Sequence, residues 1–290
     1  MLFFMSCDDG DVLFEDFNFD NIAVQACLPE TDTGNRDYTF YKIESATNET
    51  LSIQLNTNEE IFEEGPYGSF NLSSNRFEYR KFNSSVTNDY FCNDVPPAAP
   101  VVTETFIATA GNFDIDTFFT FDDNDGVPAS LEDINGDGNL ENDDTDNDGI
   151  PNYRDADDDG DNIPTADEGF NSTDPTQSRN TDGIDNPDYL DRDDDNDGIN
   201  TDQESTDGDS NPANDGPVNL RNYRNPLVSA AANPPIETFI EHEYRRSTNL
   251  EIILTDVTLS NGDQDIIYEV FNFGTYVGNQ ITIQETPPFN

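Results

Sequence analysis

Between Asp122 and Asp215 the chain carries 32 of its 62 acidic residues. The same stretch has three basic residues (Arg154, Arg179, Arg192) and three aromatics (Tyr153, Phe170, Tyr189). A segment so acidic and so poor in apolar side chains cannot bury an ordinary core. Either it is a solvated, disordered tract, or something cationic takes the place of the core.

The spacing of the aspartates separates these alternatives. A calcium loop of the EF-hand kind needs oxygen ligands at positions 1, 3 and 5, a carbonyl at 7, a carboxylate at 12, and a residue at 6 that tolerates a sharp turn. Asp193, Asp195, Asp197, Gly198 and Glu204 meet these requirements, and so do Asp157, Asp159, Asp161 and Glu168 with Asn162 at the turn. Asparagine is the next residue after glycine to accept a left-handed backbone. Asp144, Asp146, Asp148 and Gly149 form a third loop closing at Asp155. Asp133, Asn135, Asp137 and Gly138 form a fourth closing at Asp144. Asp144 thus ends one loop and begins the next.

The pattern also recurs at longer range. Pro151–Asp157 (PNYRDAD) returns as Pro187–Asp193 (PDYLDRD), a shift of 36 residues that also superposes Glu168 on Glu204. A fixed period of this size is the sign of a repeat array. Asn180, Asp182, Asp188 and Asp191 make a degraded partner of the 144 loop, with Ile184 where a ligand belongs. Asp207 and Asp209 begin a decayed further unit, and Asp122, Asp123 and Asp125 cap the front.

The runs DTDNDGIPNYRDADDDGDN and LDRDDDNDGIN resemble thrombospondin type 3 repeats, over about a third of the chain. That resemblance implies an irregular, aspartate-lined array around several structural Ca2+ ions. Animal members carry a cysteine in most repeats and this segment has none, as in the cysteine-free bacterial form. Paired EF-hands fit less well: Ile150, Ile163 and Ile199 sit at position 7 rather than 8, and no flanking amphipathic helix is visible.

The flanks read as β. Tyr38–Ile43, Leu51–Leu55, Ser69–Leu72 and Arg76–Phe82 are rich in β-formers or alternate apolar with polar residues, and turn-formers such as Glu64–Pro66 separate them. Beyond the acidic stretch, Leu250–Leu254, Ile266–Phe271 and Ile281–Ile283 read likewise. The expected fold is mainly β, with immunoglobulin-like β-sandwich modules flanking an irregular, aspartate-rich calcium-binding repeat array. The divisions are 1–10 (signal remnant and anchor), 11–95 (N-terminal β-sandwich), 96–121 (proline-rich linker and hairpin turning at Gly111–Asn112), 122–215 (array) and 216–290 (C-terminal β module). In a second arrangement the 101–121 segment pairs with the C-terminal strands and the array is an insertion. Glu237–Ile240 repeats Glu104–Ile107 letter for letter.

Met1–Ser6 is short and apolar, and Cys7 is followed at once by Asp8, Asp9, Gly10 and Asp11. This resembles the end of a signal peptide of a Bacteroidota-type surface lipoprotein, which implies a lipidated Cys7 and an outer-membrane or cell-surface location; the alternative is an incidental cysteine in a disordered terminus. Removing Cys7 from the three cysteines leaves Cys27 and Cys92, which an oxidising compartment would join; the alternative is two buried thiols.

A formal charge of −50 excludes nucleic acid and electrostatic docking on anionic lipid, and favours cations. The only histidine, His242, lies in a strand-like run without a nucleophile motif and reads as a surface strand histidine rather than a base. No catalytic residue is expected. The expected role is structural, spacer or adhesion-type, with an unknown protein or glycan partner at the cell surface. The other reading is a β-sandwich binding module for glycan or protein, which an exposed face bearing Tyr67, Tyr79 or Tyr90 would favour.

Overall fold

The computed structural model describes residues 17–29, 34–93, 95–184 and 186–287. Met1–Ser6 and Cys7 lie outside the described residues. Nine strands are present among the described residues: β1 (Gln25–Cys27), β2 (Arg36–Glu44), β3 (Glu49–Thr57), β4 (Gly65–Asn71), β5 (Arg76–Phe82), β6 (Val102–Asp122), β7 (His242–Ser260), β8 (Asp265–Val277) and β9 (Ile281–Glu285). One helical turn, α1 (Asp89–Cys92), follows β5. The chain divides into two compact units, one within 1–119 and 248–279, the other within 120–247 and 280–290. No helix among the described residues is long and apolar enough to cross a membrane.

The first unit is a mainly antiparallel sheet in the order β1-β2-β3-β5-β6-β7-β8, with β4 on β6. Alternation places one face of each strand inward. Phe40 pairs with Ile53, and Ile53 with Phe77, so a row of fully buried side chains crosses three strands. Leu250, Ile252, Leu254 and Phe273 from β7 and β8 complete the same core. Phe77 meets Phe271 and Phe273 at centroid distances of 5.7 and 6.2 Å, and Phe40 meets Tyr276 at 5.9 Å. A parallel bridge between Val24 and Tyr276 joins the two ends of the strand order. One rolled sheet therefore stands where two separate modules of stacked sheets were expected. The C-terminal strands belong to the N-terminal core, as in the arrangement that treats the array as an insertion.

The hairpin expected within 101–121 is corrected to a single 21-residue strand. Gly111 does not turn the chain. Its φ is +115°, and a Cβ there would lie 2.9 Å from Thr255 O and Val257 Cα, so the glycine permits a close approach of two backbones. Nearby, Thr109 Oγ1 donates to Thr258 O at 3.2 Å. Gly65 and Pro66, expected in a turn, open β4. Cys27 and Cys92 form a disulfide across a sequence separation of 65, with Cα atoms 5.2 Å apart. Tyr79 is buried and stacks on Phe17 at 4.3 Å, while Tyr67 and Tyr90 are half-buried on β4 and α1. The three tyrosines do not share an exposed face.

The second unit has little regular structure. The path from 123 to 241 contains nine single turns of 3₁₀ helix among the described residues, and no strand. Its apolar core is small: Val127, Ile150, Tyr153, Ile163, Tyr189, Tyr223, Ile236 and Tyr244. A return segment runs back along the loops. Ala232 N donates to Gln203 O at 2.6 Å, and the Gln203 side chain bonds both N and O of Ile236 at 3.0 and 2.9 Å. Farther on, Asn162 Nδ2 donates to Thr238 O and Ile240 N donates to Asn162 Oδ1, each at 3.1 Å. Glu237–Ile240, identical in sequence to part of β6, is therefore not a strand; it is held by side chains. The segment then enters β7, whose His242–Arg246 pairs with β9.

Candidate metal centres

The aspartate loops are built by their own backbones. In each, the N–H of position 6 donates to the carboxylate of position 1: Gly138 to Asp133 (2.9 Å), Gly149 to Asp144 (3.1 Å), Asn162 to Asp157 (2.9 Å) and Gly198 to Asp193 (3.0 Å). The N–H of position 7 donates to position 5, as Ile150 does to Asp148 (2.7 Å) and Ile163 to Asp161 (2.6 Å). Positions 4 and 6 are left-handed, with φ of 63° and 103° at Asn147 and Gly149, 67° and 70° at Gly160 and Asn162, and 55° and 95° at Asn196 and Gly198. Only glycine and asparagine take these places, because a larger side chain meets its own carbonyl there. Two such turns in five residues swing the carboxylates of positions 1, 3 and 5 to one side.

Five acidic clusters result among the described residues, each with carboxylate oxygens within 4.8 Å of one another: Asp123/Asp125/Glu132, Asp144/Asp146/Asp148, Asp159/Asp161/Glu168/Asp194, Asp193/Asp195/Asp197 and Asp207/Asp209/Asp215. The third cluster is the most enclosed. Its four residues are at most 2% exposed, and both oxygens of Glu168 and of Asp194 lack a hydrogen-bond partner. Two like charges at this separation repel by about 3–4 kcal/mol even at an effective dielectric of about 20. Four ionised carboxylates cannot share such a space without a counter-charge. Arg179 acts on Asp194 from nearby, but its guanidinium Nε is engaged by Asp188.

The titration behaviour follows. Burial, then the charges of neighbouring carboxylates, holds Asp159, Asp161 and Glu168 well above the usual carboxylate range. Burial, followed by Asp188, pushes Asp194 up to about 9. Burial with Asp125 and Glu132 takes Asp123 to about 9, and burial with Asp125 and Asp122 takes Glu132 to about 8. Asp155 reaches about 9 through burial and the carboxylates at 148, 146 and 144, and Glu204 about 8 through burial and those at 195, 197 and 193. Each shift says the same thing: these sites oppose bare negative charge and accept a proton or a cation.

The sequence-derived ligands are placed as follows. Asp159, Asp161 and Glu168 converge, with Asp157 fully buried beside them. Asp144, Asp146 and Asp148 converge, with buried Asp155 close by. Asp193, Asp195 and Asp197 converge, with Glu204 near. Asp133 is half-buried and Asp137 exposed, and neither joins an acidic cluster; position 3 is Asn135, whose Oδ1 accepts from Asp137 N at 2.9 Å and whose backbone N–H and side-chain amide donate to Asp143 at 3.1 and 3.0 Å. In the degraded loop, Asp188 is satisfied by Arg179, by Thr181 N (2.6 Å) and by Thr181 Oγ1 (2.8 Å). Asp182 accepts from Ile184 N and Asn196 Nδ2, and Asp191 from Asp193 N. Here an arginine of the chain supplies the positive charge.

Several residues were missed as candidate ligands: Asp123, Asp125 and Glu132 as a cluster, Asp194, and Asp215 beside Asp207 and Asp209. The signal was present. The 36-residue shift carries Asp123, Asp125 and Glu132 onto Asp159, Asp161 and Glu168. The expectation for His242 is corrected. It does begin a strand, but it is 1% exposed, and its Nδ1 contacts Asp155 Oδ1 at the edge of the 144 loop. A lone histidine in a strand is buried here because the acidic loops, not solvent, cover that face.

Residues 122–176 match the family model described as BamM C-terminal, which spans the front of the array. Comparison with curated proteins and with solved structures finds no match.

Proposed function

We propose that this chain is a calcium-binding protein of the bacterial cell surface or extracellular space, with a structural, spacer or adhesion-type role. The observation that carries the reading is the enclosed set Asp159, Asp161, Glu168 and Asp194, whose carboxylates can be ionised together only with a cation among the oxygens. An all-oxygen, carboxylate-rich donor set suits hard cations. Irregular loops offering many oxygens suit Ca2+, which accepts six to eight ligands in flexible geometry, better than Mg2+, which holds its waters. The thrombospondin type 3-like spacing and the 36-residue period support the same ion and a repeat array.

Cation binding then substitutes for an apolar core, and binding free energy becomes folding free energy. Extracellular modules of this chemistry saturate at about 10⁻⁴–10⁻³ M calcium, levels found outside cells. The Cys27–Cys92 disulfide and the lipoprotein-like run before Cys7 agree with an oxidising, lipid-anchored setting at the outer membrane, with which the BamM C-terminal match is compatible.

Calcium titration of the full chain, followed by circular dichroism, small-angle scattering and protease resistance with and without chelator, tests the reading. Calcium is expected to compact residues 122–241 and protect them from cleavage. Unchanged shape and protection after chelation would overturn it.

A further inference from the structure

Asp158 and Asp194 occupy position 2 of their loops, a place that supplies no ligand to the loop's own ion in the EF-hand pattern. Both are 1% exposed, and neither oxygen of either carboxylate has a hydrogen-bond partner. Their backbones are fixed in the same way: Asp158 N donates to Thr165 Oγ1 at 3.0 Å and Asp194 N to Thr201 Oγ1 at 3.3 Å. Two buried, unpartnered carboxylates in equivalent positions need a common explanation.

Asp194 clusters with Asp159, Asp161 and Glu168, residues of the loop 36 residues earlier. Stepping all four back by 36 gives Asp123, Asp125, Glu132 and Asp158. The first three form a cluster of their own. Asp158 is the 36-residue translate of Asp194, equally buried and equally unpartnered. Thus the front of the array, where position 1 is Phe121 instead of an acid, repeats three members of the most enclosed cluster in space and the fourth, Asp158, in sequence and burial.

Resting on the calcium reading above, we propose that Asp158 and Asp194 are ligands shared between units, each completing the calcium site of the unit before it. The two sites are Asp123/Asp125/Glu132 with Asp158, and Asp159/Asp161/Glu168 with Asp194. An ion in either site pins the next loop through its second residue, so order passes from unit to unit along the array. The loop beginning at Asp193 has no such contribution, because Ala230 stands 36 residues after Asp194. Its site is correspondingly more open, with Asp193 and Asp197 half-buried, and it binds most weakly of the three.

The test uses the full chain and four variants: Asp158→Ala, Asp194→Ala, Asp194→Asn, and Asp167→Ala as a control for an exposed acid of the array. Calcium affinity and stoichiometry come from calorimetry, and water bound to Tb3+ in the same sites from luminescence lifetimes in H2O and D2O. Each of the two alanine variants at shared positions is expected to lose at least tenfold in affinity at one site and to add bound water there, with Asp167→Ala unchanged. In chelator the sign reverses: removing a repelled, buried carboxylate leaves the array as resistant to protease as the parent, or more so. If Asp194→Ala fails to fold, Asp194→Asn carries the test; loss of protection in calcium alone supports the shared ligand, and equal loss in calcium and chelator overturns it in favour of packing. Unchanged affinity and hydration in both alanine variants would overturn the sharing while leaving calcium binding intact. A parent chain that binds no calcium would instead sink the underlying reading.

Discussion

Ile240 N donates to Asn162 Oδ1 at 3.1 Å, while the same side chain donates to Thr238 O. The residue that makes the turn of an aspartate loop thereby also clamps the returning chain. Glycine would suit its φ of 70° as well or better, but has no amide with which to hold residues 238–240. Asn162→Gly is expected to leave calcium stoichiometry unchanged and to destabilise the second unit by about 1–3 kcal/mol, the worth of two hydrogen bonds. Urea unfolding in saturating calcium, with cleavage mapped between residues 230 and 242, checks this; altered stoichiometry would show that the side chain serves the metal instead.

The raised carboxylates predict opposite pH responses with and without calcium. Asp123, Asp155 and Asp194 titrate near 9 and Glu132 and Glu204 near 8 when folded and metal-free, against about 4 in an unfolded chain. Between about pH 4 and 9 the folded state holds more protons, so metal-free stability falls as pH rises through that window. Calcium must displace those protons, so its affinity rises over the same window. In chelator, protease resistance is expected to be greater at pH 5 than at pH 8; in calcium the order reverses, and calcium addition near pH 7 releases protons. Equal resistance at both pH values in chelator would contradict the buried-charge account.

The disulfide serves the first unit alone. Closing a loop of 65 residues contributes about 4 kcal/mol in the chain-entropy treatment. Reduction, or paired Cys27→Ala and Cys92→Ala, is expected to lower the first unit's stability by about that amount without changing calcium affinity. Thermal unfolding in calcium, read by near-ultraviolet circular dichroism from the aromatic core, measures the loss. A concurrent fall in calcium affinity would run against this assignment.

Gly111→Ala tests the close approach of β6 to β7. The substitution forces an L side chain to φ +115° and sets a methyl 2.9 Å from Thr255 O and Val257 Cα. A loss of about 2–4 kcal/mol is expected, combining backbone strain with overpacking. Gly262→Ala provides a comparison, since its φ of +94° is also left-handed but a Cβ there meets nothing within 4 Å. Equal losses at the two positions would reduce the effect to backbone conformation.

Much of this was legible in the sequence, and unevenly so. Strands such as Tyr38–Ile43 and Leu250–Leu254 announce themselves because alternation reports a buried face. What alternation cannot report is which sheet a strand joins: β7 and β8 share a core with β2 and β5 through contacts such as Phe77 with Phe273, almost two hundred residues apart in sequence. Gly111–Asn112 has the composition of a turn, and only the nearness of Val257 reveals the other use of a glycine. Within the array, loop positions could be numbered because an aspartate loop is local. Asp194 escapes a reading made one loop at a time because Asp159, Asp161 and Glu168 lie a unit earlier. His242 and Glu237–Ile240 took their places from neighbours that no local pattern names.

The position-2 aspartates also set a rule for how such an array can change length. Excising the 36 residues from Asp158 through Asp193 would leave Asp123, Asp125 and Glu132 followed by Asp194 at the spacing Asp158 had held. A duplication of one whole unit preserves every set of four in the same way. On the proposed sharing, an insertion or deletion of another size between Glu132 and Asp158, or between Glu168 and Asp194, moves the fourth carboxylate out of register with its site. Recombination among genes for such arrays would, on that sharing, be filtered by metal chemistry toward whole-unit steps, and natural length variants are expected to differ by multiples of the period.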